Sequence, residues 1–234
     1  MDYFRSIVLV AAIAGILAGL GMTVAQQLTT VPLILKAEVY ESEGTPAAHD
    51  HGESAQPAAH EHEHGAWQPE DGFERTAFTL LANIVTGVGF ALLLIAASEL
   101  AGGIGNWRQG VFWGLAGFAV FTLAPGLGLP PELPAMPAAE LGARQLWWLA
   151  TVLSTAAGIA LLFYGRSPLL IIAALALIAA PHLVGAPAPA SYDSPVPEDL
   201  HHSFVVAGVL TALLFWVLLG ALAGLFRGRL MHAS

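Results

Sequence analysis

The chain has 234 residues, 56% of them hydrophobic and 11% charged, where soluble domains run at roughly 45–50% and about 25%. It contains no cysteine, which excludes disulfides, thiolate metal sites, iron–sulfur clusters and cysteine nucleophiles. Eight Lys and Arg stand against 17 Asp and Glu, a net charge of −9; nucleic acid demands the opposite balance, whereas a cationic partner or substrate fits.

A helix needs about 20 apolar residues to cross the hydrocarbon core. In chain order, Ser6–Ala25, Thr76–Ser98, Gln109–Leu129, Gln145–Tyr164, Pro168–Ala186 and Phe204–Phe226 qualify, and none contains Asp, Glu, Lys or Arg. The first is too long for the roughly 7–15-residue core of a secretory signal, so an uncleaved first helix is expected. Only Gly165-Arg166-Ser167 separates the fourth from the fifth, which predicts a tight antiparallel hairpin. Gly15/Gly19, Gly110/Gly114 and Gly220/Gly224 have the spacing that lets helix backbones approach closely. The expected fold is an all-α integral membrane protein: a six-helix transmembrane bundle forming a single membrane domain over residues 1–234.

Basic residues in short loops set orientation. With a cytoplasmic N-terminus, Arg5, Arg108, Arg166, Arg227 and Arg229 lie inside with Asp2 and Glu99, a balance of +3. Lys36, Arg75 and Arg144 lie outside with the other fifteen carboxylates, a balance of −12, and the two balances make up the −9 of the whole chain. Both termini are then cytoplasmic.

Between the first two spans, residues 42–72 form a His- and Glu-rich outer insertion. It carries His49-Asp50-His51 and His60-Glu61-His62-Glu63-His64 and has no apolar period. Such a segment buries too little to offset its ordering entropy and is expected to be mobile without metal. Alternating imidazoles at His49, His51, His60, His62 and His64 suit zinc, copper, nickel or cobalt, but they lack the helical H-x-x-x-H spacing of hydrolytic zinc centres. The segment is therefore expected to collect a divalent ion without selecting cobalt by itself.

Further donors flank the membrane. Glu38 and Glu41 follow the first span and share a face if that stretch is helical. His182 follows Pro181, while Glu198, Asp199, His201 and His202 precede the last span. The third and fifth spans both run into A-P-x-L, at Ala124–Leu127 and Ala180–Leu183. Backbone broken at that depth could line a cavity and offer carbonyls to an ion; the plainer reading is an ordinary helix stop. Glu74, Glu140, Glu198 and Asp199 open the returning helices, where they complement the helix dipole. Asn83 is the one amide deep within a span, and helix–helix hydrogen bonding is its ordinary role. Trp147 and Trp148 fit an interfacial aromatic belt.

No G-K-[ST] phosphate loop and no G-x-S-x-G elbow occurs, so neither ATP-driven transport nor hydrolysis is expected. An inside-negative potential alone favours dication entry by about 4.6 kcal/mol per 100 mV.

Several stretches together carry a resemblance. They are Gln26-Gln27 through Val31-Pro32-Leu33-Ile34 to Ala37-Glu38-Val39-Tyr40-Glu41; Glu74-Arg75-Thr76 with Asn83 and Gly87–Leu92; and Pro181–Pro187 with Val196-Pro197 and Leu200. The most specific runs from Trp113-Gly114-Leu115-Ala116-Gly117-Phe118 through Leu123–Pro134 to Arg144-Gln145-Leu146-Trp147-Trp148. In these the chain resembles the CbtA family, the probable cobalt transporter subunit of bacteria. The resemblance implies cobalt uptake across a bacterial inner membrane and a small single-span partner of the CbtB type, while the missing catalytic motifs leave no enzymatic activity expected. Members are often described with five spans, where the charge arithmetic favours six. The reading is a membrane subunit for divalent-metal uptake, Co2+ first and then Ni2+ or Zn2+, with no tightly bound cofactor. Glu38, Glu41, His182, Glu198, Asp199 and His201 would line its outer vestibule. The alternative is a non-transporting metal-binding or scaffold subunit of a larger membrane complex.

Overall fold

The computed structural model describes residues 2–44, 69 and 72–231. The described residues form helices and connections, with no strand among them. Helix α1 (Asp2–Leu28) is followed after Thr29 by α2 (Thr30–Gly44). The break is local: the Thr29 hydroxyl donates to the Ala25 carbonyl at 2.7 Å, and α2 restarts with Pro32 in its first turn, where a missing N–H leaves nothing unpaired. Helix α3 spans Phe73–Glu99. Helix α4 (Trp107–Phe118) passes through a π-helical turn (Ala119–Leu123) into α5 (Ala124–Gly128) without leaving helical geometry. Helices α6 (Leu141–Tyr164), α7 (Pro168–Val184) and α8 (Glu198–Met231) complete the chain.

Five of these units are long and apolar enough to cross a membrane: Tyr3–Leu28, Phe73–Glu99, Trp107–Gly128, Leu141–Tyr164 and Glu198–Arg229. The fifth expected span is shorter than its sequence suggested. Helix α7 has 17 residues, or about 26 Å at 1.5 Å per residue, against a hydrocarbon core of about 30 Å. Gly185, at φ 87°, stops it. The expected α6–α7 hairpin forms, and Ser167 caps α7 by accepting from the Leu170 N–H at 3.3 Å.

Two glycine-lined contacts organise the bundle. Gly15 and Gly19 of α1 lie against the α3 backbone at Gly87, Val88 and Ile84, and a Cβ on Gly19 would sit 2.8 Å from the Ile84 Cα. Gly110 and Gly114 of α4 meet Gly220 and Trp216 of α8, where a Cβ on Gly220 would sit 2.9 Å from the Gly114 Cα. All three G-x-x-x-G pairs expected from the sequence thus mediate close contact, the purpose small residues serve in lipid. The main core joins the two couples: Val10, Ala11, Ala14 and Ala18 of α1 and Ala91, Leu94 and Ile95 of α3 meet Phe215, Trp216, Leu219 and Ala223 of α8. A smaller core caps one end, formed by Ala37 of α2, Leu133, Val196 and Phe204.

The helices alternate in direction, so charges sort by end. Arg5, Glu99, Arg108, Arg166, Arg227 and Arg229 lie toward the end where α1 starts. Among the described residues, Glu38, Glu41, Glu74, Glu132, Glu140, Asp193, Glu198 and Asp199 lie toward the other, with Lys36, Arg75 and Arg144.

Candidate functional site

The prolines of the two A-P-x-L motifs do not break the backbone. Pro125 falls at the start of α5, directly after the π turn, and Pro181 lies inside α7, with one further helical turn after each. Both are buried. The Pro181 carbonyl accepts a hydrogen bond from the Trp147 indole at 3.2 Å, so it is not offered to an ion. Trp147 is only 8% exposed, and its ring also lies against the place a Cβ on Gly128 would take. It therefore wedges between the two motifs instead of standing in an interfacial belt, and only Trp148 is open at the surface. The reason is the sequence of α6: positions 147, 151, 155 and 158 share one helical face, and Trp147, Thr151, Thr155 and Gly158 are all buried.

The residues expected to line an outer vestibule fall into two separate places. Around α2 and the start of α8, Glu38 is held by Arg75 in a two-pronged ion pair, with contacts of 2.6 and 3.3 Å. A dication at Glu38 would share the carboxylate with that guanidinium. Glu41 lies on the same helix three residues on, so the two do share a face. Neither of them lines the groove of about 550 Å³ between α2 and α8, which Asp199 shares with Leu33, Lys36, Tyr40, Pro197 and Ser203. Glu198 and Asp199 occupy the first turn of α8, and His202 is exposed beside them. His201 Nε2 donates to the Pro131 carbonyl at 3.2 Å. Because a carbonyl only accepts, this contact needs a proton on Nε2, and in the neutral ring Nδ1 then carries the lone pair. His182 is in the second place, at the end of α7, edge-on to Trp147 at 5.8 Å between ring centroids. Among the described residues no three His, Asp or Glu side chains come together as a metal-holding group. His49, His51, His60, His62 and His64 lie outside the described residues.

Glu140 illustrates the dipole reading at full strength. It is the N-cap of α6 and accepts from the Gly142 and Ala143 N–H groups at 2.8 and 2.7 Å, which holds its carboxyl below the usual carboxylate value. A depressed folded pKa contributes stability above the unfolded value that is lost as pH falls through the folded one. The melting-temperature gap between the natural chain and Glu140→Gln should therefore narrow on acidification below about pH 4.5. A gap independent of pH would remove the charge from the cap's role.

One polar feature inside the bundle was only half visible in sequence. Asn83 Nδ2 donates to Thr23 Oγ1 at 3.0 Å and to Gln26 Oε1 at 2.6 Å, Gln27 donates to Thr76 at 3.2 Å, and the Thr29 and Thr211 hydroxyls meet at 3.0 Å. These neutral groups form a seam joining α1 to α3 and α8. Asn83 thus has the helix-bridging role expected of it; its partners could have been sought at i, i+3 and i+4 spacing in the first span. Asn83→Leu should cost about 0.6–1.7 kcal/mol, read as an earlier unfolding midpoint in denaturing detergent.

These features define a multi-pass helical membrane protein with oppositely biased ends and a neutral polar seam between its helices. The chain belongs to the CbtA family, described as probable cobalt transporter subunit, whose family model matches residues 4–228. No curated protein and no solved structure matches the chain.

Proposed function

We propose that this chain is the membrane subunit of a cobalt uptake system of the bacterial inner membrane. In this reading it makes six spans, with α7 as a short fifth, and both termini are cytoplasmic. The observation that carries the reading, beside the family, is the sorting of charge. The end toward which Arg5, Arg166, Arg227 and Arg229 lie is the one the positive-inside rule assigns to the cytoplasm. The acidic end then faces outward and raises the local concentration of divalent cations.

The segment His49–His64 collects Co2+ as substrate, with Ni2+ and Zn2+ as competitors. Glu41, Asp199, His201 through Nδ1, Glu198 and His202 receive it around α2 and α8, with Glu38 and, on the far side, His182 as further donors. A small single-span partner of the CbtB type completes the system, and no catalysis is assigned to the chain.

Purified chain in proteoliposomes, with and without the partner, tests this. Cobalt should enter faster under an inside-negative potential, and deleting residues 49–64 should raise the half-saturation concentration with little change in maximal rate. Absence of metal flux under any imposed potential, with stable recovery in a larger complex, would replace transport by a scaffolding role. Half-saturation unchanged by the deletion would retire the collecting role alone.

A further inference from the structure

Two couples of helices are joined backbone to backbone, α1 with α3 through Gly15, Gly19 and Gly87, and α4 with α8 through Gly110, Gly114, Gly220 and Gly224. Contact of this kind leaves few side chains to repack within each couple. Between the couples α1 packs along α8, and there a Cβ on Gly21 would meet a side chain, Leu218, and no backbone. Phe90 of α3 inserts among Phe121, Phe215 and Trp216, with ring centroids at 5.1, 6.4 and 4.8 Å, and side chains that change rotamer can slide. Phe121 belongs to the π turn, a helix distortion that is found often where helices work.

At the end where α1 starts, a single charged cluster ties the couples together. Arg227 of α8 donates through Nε to Glu99 of α3 at 2.8 Å, and its Nη1 donates to the Ile104 carbonyl at 2.6 Å. The other oxygen of Glu99 accepts from Tyr3 of α1 at 2.5 Å. Gly103, at φ 81°, leaves the space that the guanidinium fills, since a Cβ there would meet the Arg227 Cζ at 2.5 Å. Elements of both couples thus meet at one Glu99–Arg227 pair: α1 through Tyr3, α3, the α3–α4 loop through Ile104, and α8. Among the described residues, the ion pairs toward the opposite end, Glu38–Arg75 and Glu132–Arg144, do not join α3 to α8, and the couples meet there through the neutral Thr29–Thr211 contact at 3.0 Å.

We propose that Tyr3, Glu99 and Arg227 form a latch. Made, it closes the basic end of the bundle over the α1–α8 interface; broken, it lets the two glycine-joined couples part at that end while the far end stays closed. The latch concerns the fold's two states and holds whatever ion the chain carries.

The absence of native cysteine makes the test direct. Single cysteines are placed at Ala223, fully buried one turn before Arg227, and at Ala37, fully buried in α2 at the far end. Labelling by a membrane-impermeant maleimide is then timed in open membrane fragments without metal. Glu99→Gln should speed labelling at position 223 about tenfold, as expected for loss of a charge-assisted contact, and leave position 37 unchanged. Tyr3→Phe, which removes one hydroxyl, should give a smaller rise of about threefold and decides the matter if Glu99→Gln does not accumulate. Unchanged labelling at 223, or an equal rise at both positions, overturns the latch. Because no metal is involved, failed cobalt uptake leaves the result standing.

Discussion

Gly220→Leu should abolish the folded bundle. Gly220 sits where the backbones of α4 and α8 cross, and even a Cβ would come within 2.9 Å of the Gly114 Cα and would collide with the Gly110 carbonyl. Neither neighbour is a side chain that can rotate away, so α8 must be displaced from α4 along the contact. Overpacking of ordinary cores costs about 1–3 kcal/mol and more where nothing can yield, and folded domains hold only about 5–15 kcal/mol in total. Gly220→Ala is the graded case and should lower the detergent unfolding midpoint clearly. Gly89→Ala on α3 is the control. No atom lies within 4 Å of a Cβ at that position, and alanine favours helix over glycine by about 1 kcal/mol, so this variant should be neutral or slightly stabilised. Equal tolerance at 220 and 89 would refute the backbone contact between α4 and α8.

The contrast between those glycines also marks what could be read before the fold was known. Hydrophobic length is a property of the chain in one dimension, so the long apolar helices were visible directly, as were the α6–α7 turn and the G-x-x-x-G pairs. Which helix each pair faces is not in the spacing: Gly110/Gly114 and Gly220/Gly224 meet each other, whereas Gly15/Gly19 meet a single glycine, Gly87, with Val88 and Ile84 on α3. The same limit hid the Arg227 cluster, whose members are 96 and 128 positions apart in the chain. Proline misled in a physical way. A proline near a helix end usually stops it, but at Pro181 the preceding turns are held by burial against α6, and the helix runs on until Gly185 supplies a positive φ. The candidate donors were legible as residue types only. Glu38 was visible, its engagement by Arg75 was not, and separation of His182 from the α2–α8 group depends on α7 standing beside α6.

Trp147→Ala should be the most damaging single truncation in the α6–α7 hairpin. The indole fills the space between the ends of α5 and α7, next to Gly128 and Ala186, and donates to the Pro181 carbonyl, which also accepts from the Gly185 N–H at 3.0 Å. Truncating a buried tryptophan to alanine costs about 3–5 kcal/mol in cavity and lost contacts. Here it also leaves that carbonyl without its indole donor. The α6–α7 hairpin meets the remaining helices chiefly through the π turn and α5, so losing this wedge should free the hairpin specifically. Trp147→Phe separates the two contributions, because it retains most of the apolar volume and removes only the N–H, for an expected loss of about 1–2 kcal/mol. Limited proteolysis at Gly165–Ser167, at the far tip of the hairpin, reads the release. Cleavage should be fastest for alanine, intermediate for phenylalanine and slowest for the natural chain. The region built on Gly110 and Gly220 should stay protected in all three, since its glycine contacts do not involve the wedge. If alanine instead unfolds α4 and α8 along with the hairpin, Trp147 supports the whole bundle and the hairpin is not a separately attached unit.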